Sequence, residues 1–139
     1  FKKGATASFE ATRLAGGHFN DNSIELNGTK GSIRWSLERL NELEYFDLSE
    51  DATTRGWSNI MATDAGAHPY AEAWWPEGHI IGYEHSFTNQ VADICRVMGR
   101  RKPAIPLPDF EDAYQTQRVL EAALIAAKAR ETVKMSEVK

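Results

Sequence analysis

"SIELNGTKGSIRWSL", residues 23–37, reads as two strands joined by a tight turn. Ile24 and Leu26 point one way in the first run, and Ile33, Trp35 and Leu37 alternate in the second. That period of two marks a strand with one covered face. Between them, Asn27-Gly28 and Gly31 are suited to the positive-φ positions that a tight connection asks for. Working outward, the neighbouring segments keep the same rhythm. In "ATASFEATRLA", residues 5–15, Ala5, Ala7, Phe9 and Ala11 alternate with Thr6, Ser8, Glu10 and Thr12, until Gly16-Gly17 breaks the pattern. Downstream, "ELEYFDL" and "WSNIMAT" are two further strand candidates, separated by the polar, turn-like "SEDATTRG".

After residue 83 the period changes. Phe87, Val91, Ile94 and Met98 recur at spacings of four, three and four, the signature of one helix face. Gly99 is placed to end that helix. "KPAIPLP" cannot be helix interior and reads as a linker. Asp109 then has the character of an N-cap, with Glu111 and Asp112 in the first turn. The second helix is expected to run to about Arg130, with Leu120, Leu124 and Ala127 on one stripe and small residues in "AALIAAKA". The closing "TVKMSEV" alternates and is expected to form a short edge strand. Strands followed by helices predict an α+β fold. The expected architecture is an open, mostly antiparallel sheet with two main helices packed on one face and the other face free for oligomerisation.

The 139 residues suffice for one domain. A net charge of −4 speaks against a nucleic-acid partner, because a phosphate-tracking surface is basic. The basic run Arg100, Arg101, Lys102 follows a helix end, where cations complement the dipole. Cys95 is the single cysteine, so no intrachain disulfide and no multi-thiolate metal site can form. This fits a reducing, cytoplasmic setting. No run approaches the roughly 20 apolar residues of a membrane span. The chain starts at Phe1 and is already in strand rhythm, so it reads as a fragment or a processed chain.

Motifs of the common chemistries are missing. His18, His68, His79 and His85 have no tight metal-ligand spacing. No serine sits in GxSxG. Cys95, mid-helix beside the apolar stripe, reads as a packing residue. GxGxxG and GxxxxGK[ST] do not occur, and "NGTKGS" belongs to a hairpin rather than to the strand-to-helix turn that cradles phosphate. Glu10, Glu25, Glu38 and Asp112 read as solvated or capping groups rather than acid–base catalysts. The concentrated chemistry lies in "AWWPEGHIIGYEH", residues 73–85, and the "HPY" just before it. Tyr70, Trp74, Trp75 and Tyr83 have faces that can stack on a sugar ring, and His68, Glu77 and His79 can hydrogen-bond hydroxyls. Tryptophans in such a loop also serve as anchors, and one can pack while the other faces ligand.

The series "GATASFEATRLAGG", "IELNGTKGSIRWSLERLNEL", "HPYAEAWWPEGHIIGYEHSFTNQVADI" and "PDFEDAYQTQRVLEAALIAAKA" resembles the C-terminal domain of Gfo/Idh/MocA oxidoreductases, the glucose–fructose oxidoreductase and inositol dehydrogenase family. The loop resembles the part of the family that acts on sugars or polyols. The resemblance implies that residues 1–139 are a substrate-binding and oligomerisation domain, incomplete at its N-terminus, of a parent whose Rossmann domain binds NAD or NADP. The implied reaction is hydride transfer between a sugar or polyol hydroxyl carbon and the nicotinamide. The family's Glu-Lys-Pro motif is missing: Lys102-Pro103 follows Arg101 in a linker. No catalytic, cofactor-binding or metal residue is therefore assigned, and the chain alone is expected to be inactive with no cofactor bound. The matching loop carries over Trp74, Trp75, His79 and Tyr83 as substrate contacts. A homo-oligomer through the open sheet face is implied, with neither nucleic acid nor membrane as partner. Alternatives from other classes are a free-standing carbohydrate-binding module and a purely structural assembly module.

Overall fold

A computed structural model describes residues 1, 3–76 and 78–138. The chain divides into two compact units, residues 1–83 and 84–139.

The first unit is built on the hairpin. β1 (Ser23–Asn27) and β2 (Gly31–Ser36) pair antiparallel, with Ile24 opposite Trp35 and Leu26 opposite Ile33. β3 (Glu42–Asp47) and β4 (Trp57–Met61) follow, giving an open four-stranded antiparallel sheet in the order β1-β2-β3-β4. With the two helices of the second unit this is an α+β fold. The register sorts the side chains cleanly. Ile24, Leu26, Ile33, Trp35, Leu43, Tyr45 and Ile60 share one face. Glu25, Arg34, Glu44 and Asn59 form a cross-strand row on the other. There Arg34 donates to both Glu44 oxygens, at 2.6 and 2.8 Å, and lies 4.2 Å above the Trp57 ring. This bidentate pair holds the Glu44 carboxyl below its ordinary range. The Trp35 indole N–H donates to the Leu40 carbonyl at 3.1 Å, so its ring packs without stranding a donor.

Several sequence expectations are corrected here. Among the described residues no strand precedes Ser23: residues 5–12 alternate as expected but have no ladder partner, and they stay exposed. A period of two makes a strand only where another edge completes its hydrogen bonds. Gly28 and Gly31 do not have positive φ; among the described glycines only Gly4 and Gly78 do. Gly31 is needed for space instead. A Cβ there would lie 2.4 Å from the carbonyl oxygen of Phe46 on β3.

In the second unit, α1 (Tyr83–Met98, beginning one residue before the unit boundary) and α2 (Phe110–Ala129) lie where the periodicity put them. Asp109 caps α2 in a reciprocal box: Asp112 N–H donates to Asp109 Oδ1 at 2.9 Å, and Asp109 N–H donates to Asp112 Oδ2 at 3.0 Å. α1 ends at Met98, directly before the glycine that was placed to stop it, but the left-handed residue comes one position further on. Arg100, not Gly99, takes the left-handed position (φ 57°), and Arg101 N–H reaches the Arg96 carbonyl at 2.8 Å. The apolar stripe of α1 is open, with Phe87 53% exposed, and Leu120 and Leu124 of α2 are likewise exposed. Cys95 is exposed too, so it is not the packing residue its position suggested. The buried residues of α1 are Asn89 and Asp93, on the opposite side. Asp93 accepts from Arg96 Nη1 at 2.6 Å and from Ala104 N–H at 2.9 Å, which draws the proline-rich linker back along the helix. The terminal "TVKMSEV" forms a 3-10 turn, Met135–Glu137, rather than a strand. Arg118 Nη2 donates to the carbonyls of Met135 and Val138, at 2.7 and 2.8 Å, and these are bonds that a sheet edge would have needed.

Candidate functional site

The aromatic loop is shaped by local rules. Residues Ala71–Ala73 form a 3-10 turn, and Trp74 N–H closes it onto the Ala71 carbonyl at 3.0 Å. Pro76 fixes the next φ, and Gly78 (φ +82°) supplies the left-handed step that an L side chain resists. His79 N–H then reaches back to the Pro76 carbonyl at 3.3 Å. The His79 ring adds a second bond to that same carbonyl, from Nδ1 at 3.0 Å. A carbonyl can only accept, so Nδ1 carries a proton in this bond, and in that tautomer Nε2 is the acceptor.

The four residues assigned from sequence are not gathered into one place. Trp75 and His79 are together, with ring centroids 6.2 Å apart and planes tilted by 32°. Trp75 is 63% exposed, and His79 is exposed beside it. Trp74 is half-buried at the end of the 3-10 turn. Tyr83 borders a different feature, a groove of about 380 Å³ shared with Leu37, Leu40, Asn41, Met61 and Ile80. Glu77 lies outside the described residues. His68 is turned to local structure: its Nδ1 accepts from Tyr70 N–H at 3.3 Å, and its ring lies 6.0 Å from that of Tyr70.

Burial depresses the His68 pKa. The unfolded chain therefore takes up the proton first as pH falls through the ordinary imidazole value near 6.5. The stabilisation is complete above that value and is lost below it. His68→Gln keeps an acceptor for Tyr70 N–H, and it is expected to flatten the decline in melting temperature between pH 7.5 and 5.5. An unchanged slope would contradict this. Glu42, Glu44, Asp47 and Asp51, all depressed by hydrogen bonds, lose their contribution only at lower pH.

One residue that matters to the loop is invisible in local sequence. Asn41, just before β3, donates from Nδ2 to the Ile81 carbonyl at 2.9 Å and accepts Ile81 N–H at Oδ1, also at 2.9 Å. Thr63 Oγ1 donates to the same oxygen at 2.9 Å. The partners are 40 and 22 residues distant along the chain, beyond any periodicity window. Three of the four carboxylates singled out from sequence have structural partners, and Glu10 is exposed. Glu38 accepts from Phe19 and Asn20 N–H, Glu25 from Asn27, and Asp112 belongs to the α2 cap. Among the described residues no group of three or more His, Cys, Asp or Glu is arranged to hold a metal ion. Nor, among them, is any helix long and apolar enough to cross a membrane.

Residues 1–135 match the family described as "Oxidoreductase family, C-terminal alpha/beta domain", the C-terminal domain of Gfo/Idh/MocA proteins. The chain belongs to the Gfo/Idh/MocA oxidoreductase family. It is 33% identical over 133 residues to levoglucosan dehydrogenase of Pseudarthrobacter phenanthrenivorans, covering 95% of this chain and 33% of that protein. Among solved structures it is similar to an oxidoreductase domain protein from Kribbella flavida (42% identity, TM-score 0.76, 86% of this chain and 30% of that one). It is also similar to levoglucosan dehydrogenase in complex with NADH and levoglucosan (30% identity, TM-score 0.75, 86% and 32%). The chain thus spans about a third of the length of these relatives.

Proposed function

We propose that this chain is the substrate-binding and oligomerisation domain of a cytoplasmic, NAD(P)-dependent oxidoreductase. The parent would transfer hydride between a nicotinamide and a sugar or polyol hydroxyl carbon. Support comes from the family and from relatives held with NADH and levoglucosan, or with NADH and L-sorbose. "NGTKGS" forms the β1–β2 turn rather than a strand-to-helix turn, and its Gly28 N–H is already bonded to the Gly31 carbonyl at 2.9 Å. The nicotinamide site is assigned to the remainder of the parent. An apolar sheet face that leaves Ile24, Leu26 and Ile60 exposed suits contact between copies.

The observation that carries the sugar reading is the Trp75–His79 pair. An open indole face offers a stacking surface for a ring's C–H groups, and His79 Nε2 offers an acceptor to a hydroxyl. Trp74, half-buried, would support the loop, and Tyr83 would contact substrate from the neighbouring groove. In the full-length parent, Trp75→Ala is expected to raise the sugar KM about tenfold, as losing roughly 1.4 kcal/mol of stacking contact would. The nicotinamide KM should not move. Steady-state kinetics with levoglucosan, L-sorbose and inositol as probes checks this. An unchanged KM for the sugar turned over fastest, or no turnover of any of them, would overturn the reading.

A further inference from the structure

We propose that Asn41 is a positioning residue for sugar binding, acting through the Ile81 backbone. This rests on the reading of the aromatic loop as a substrate contact. Three observations carry it. First, Oδ1 of Asn41 already accepts from Ile81 N–H and Thr63 Oγ1, so both its lone pairs are used, and Nδ2 gives one of its two hydrogens to the Ile81 carbonyl. Three of the side chain's four hydrogen-bonding positions thus act on the loop and its support. Second, Ile81 is buried and lies two residues from both His79 and Tyr83. At the reach of an extended chain, about 3.5 Å per residue, a shift at Ile81 moves both neighbours. Third, Asn41 is itself held: its carbonyl accepts Ala62 N–H at 2.8 Å, and Thr63 follows directly after. The loop that carries Trp75 is thereby fastened at its far end to the place where β3 begins and β4 ends. The two bonds to Ile81 replace the pairing that an irregular segment lacks, and they fix one position where a free loop has many.

Ile81 N–H can only donate and so sets which end of Asn41 faces it, and the hydroxyl of Thr63, which also lies 3.6 Å from Met61 Sδ, supports that orientation by donating to Oδ1. This gives an isosteric test. In the full-length parent, Asn41→Ala is expected to raise the sugar KM about tenfold. Thr63→Val should raise it about threefold, and Thr63→Ser should restore it, all with the nicotinamide KM unchanged. Hydrogen exchange at the Ile81 amide should quicken in N41A and T63V and stay slow in T63S. The kinetics use the same probe sugars, with Trp75→Ala run alongside. If Trp75→Ala raises the sugar KM while N41A and T63V lower only the melting temperature, Asn41 is merely structural and the proposal falls alone. If neither Trp75→Ala nor N41A moves the sugar KM while Ile81 exchange still quickens, the tether exists but the loop reading falls, and the positioning role falls with it.

Discussion

Gly31→Ala is expected to destabilise the sheet by about 3 kcal/mol, the upper part of the range for forcing extra volume into packed structure. The added Cβ would lie 2.4 Å from the Phe46 carbonyl oxygen, and the Tyr45 ring is already 3.4 Å away. The clash is with backbone, so no side-chain rotation relieves it. β2 would have to move off β3 at the Gly31–Asp47 pair, opening the central β2–β3 ladder from its end. Thermal melts followed by circular dichroism should show a fall of roughly 10 °C. Gly28→Ala is the control, because its Cβ would meet only the Gly31 carbonyl oxygen at an ordinary 3.5 Å. Equal losses in the two variants would show that backbone freedom, and not space, is what position 31 requires.

Asp93→Ala is expected to cost about 2 kcal/mol. Asp93 is 0% exposed, and its carboxylate is held by the Arg96 guanidinium and the Ala104 amide. Removal strands the amide and leaves a gap where an ionic acceptor stood, each a recognised source of loss. Asp93→Asn retains one acceptor and should cost about half as much, since hydrogen bonds to a charged group are the stronger ones. Urea unfolding of the three proteins checks the order. The linker should also become more open to protease near Pro103 in D93A. Wild-type stability in D93A would mean that burial of this carboxylate contributes nothing to the helix–linker packing.

Much of the fold was legible because its signals are local. The β1–β2 hairpin, β3, β4, both helices and the Asp109 cap follow from alternation, helical spacing and N-cap chemistry within windows of a dozen residues. The failures share one cause. Residues 5–12 and 132–138 have strand patterns, yet pairing depends on an edge elsewhere, and Arg118 captures the terminal carbonyls instead. Helical periodicity marked the Phe87 stripe as the face to cover. Asn89 and Asp93 are buried opposite it, and Asp93 is tied to a linker that folds back after a non-glycine stop. At the candidate site, residue types and the family resemblance pointed to the loop and to Trp74, Trp75, His79 and Tyr83 together. Residue types alone did not separate Trp75 from Trp74, because exposure depends on how the 3-10 turn ends.

By itself, then, the sequence determined the order and kind of the elements, the family, and the loop in which ring-stacking chemistry is concentrated. These depend on side-chain period and residue type, which the chain carries everywhere. Only the tertiary structure decided that Gly31 serves close approach, that His79 presents Nε2 next to an open indole, and that Asn41 and Thr63 hold Ile81. Each of those is a contact between atoms distant in sequence or turned by a neighbouring bond, and no pattern along the chain encodes which partner will be within 3 Å.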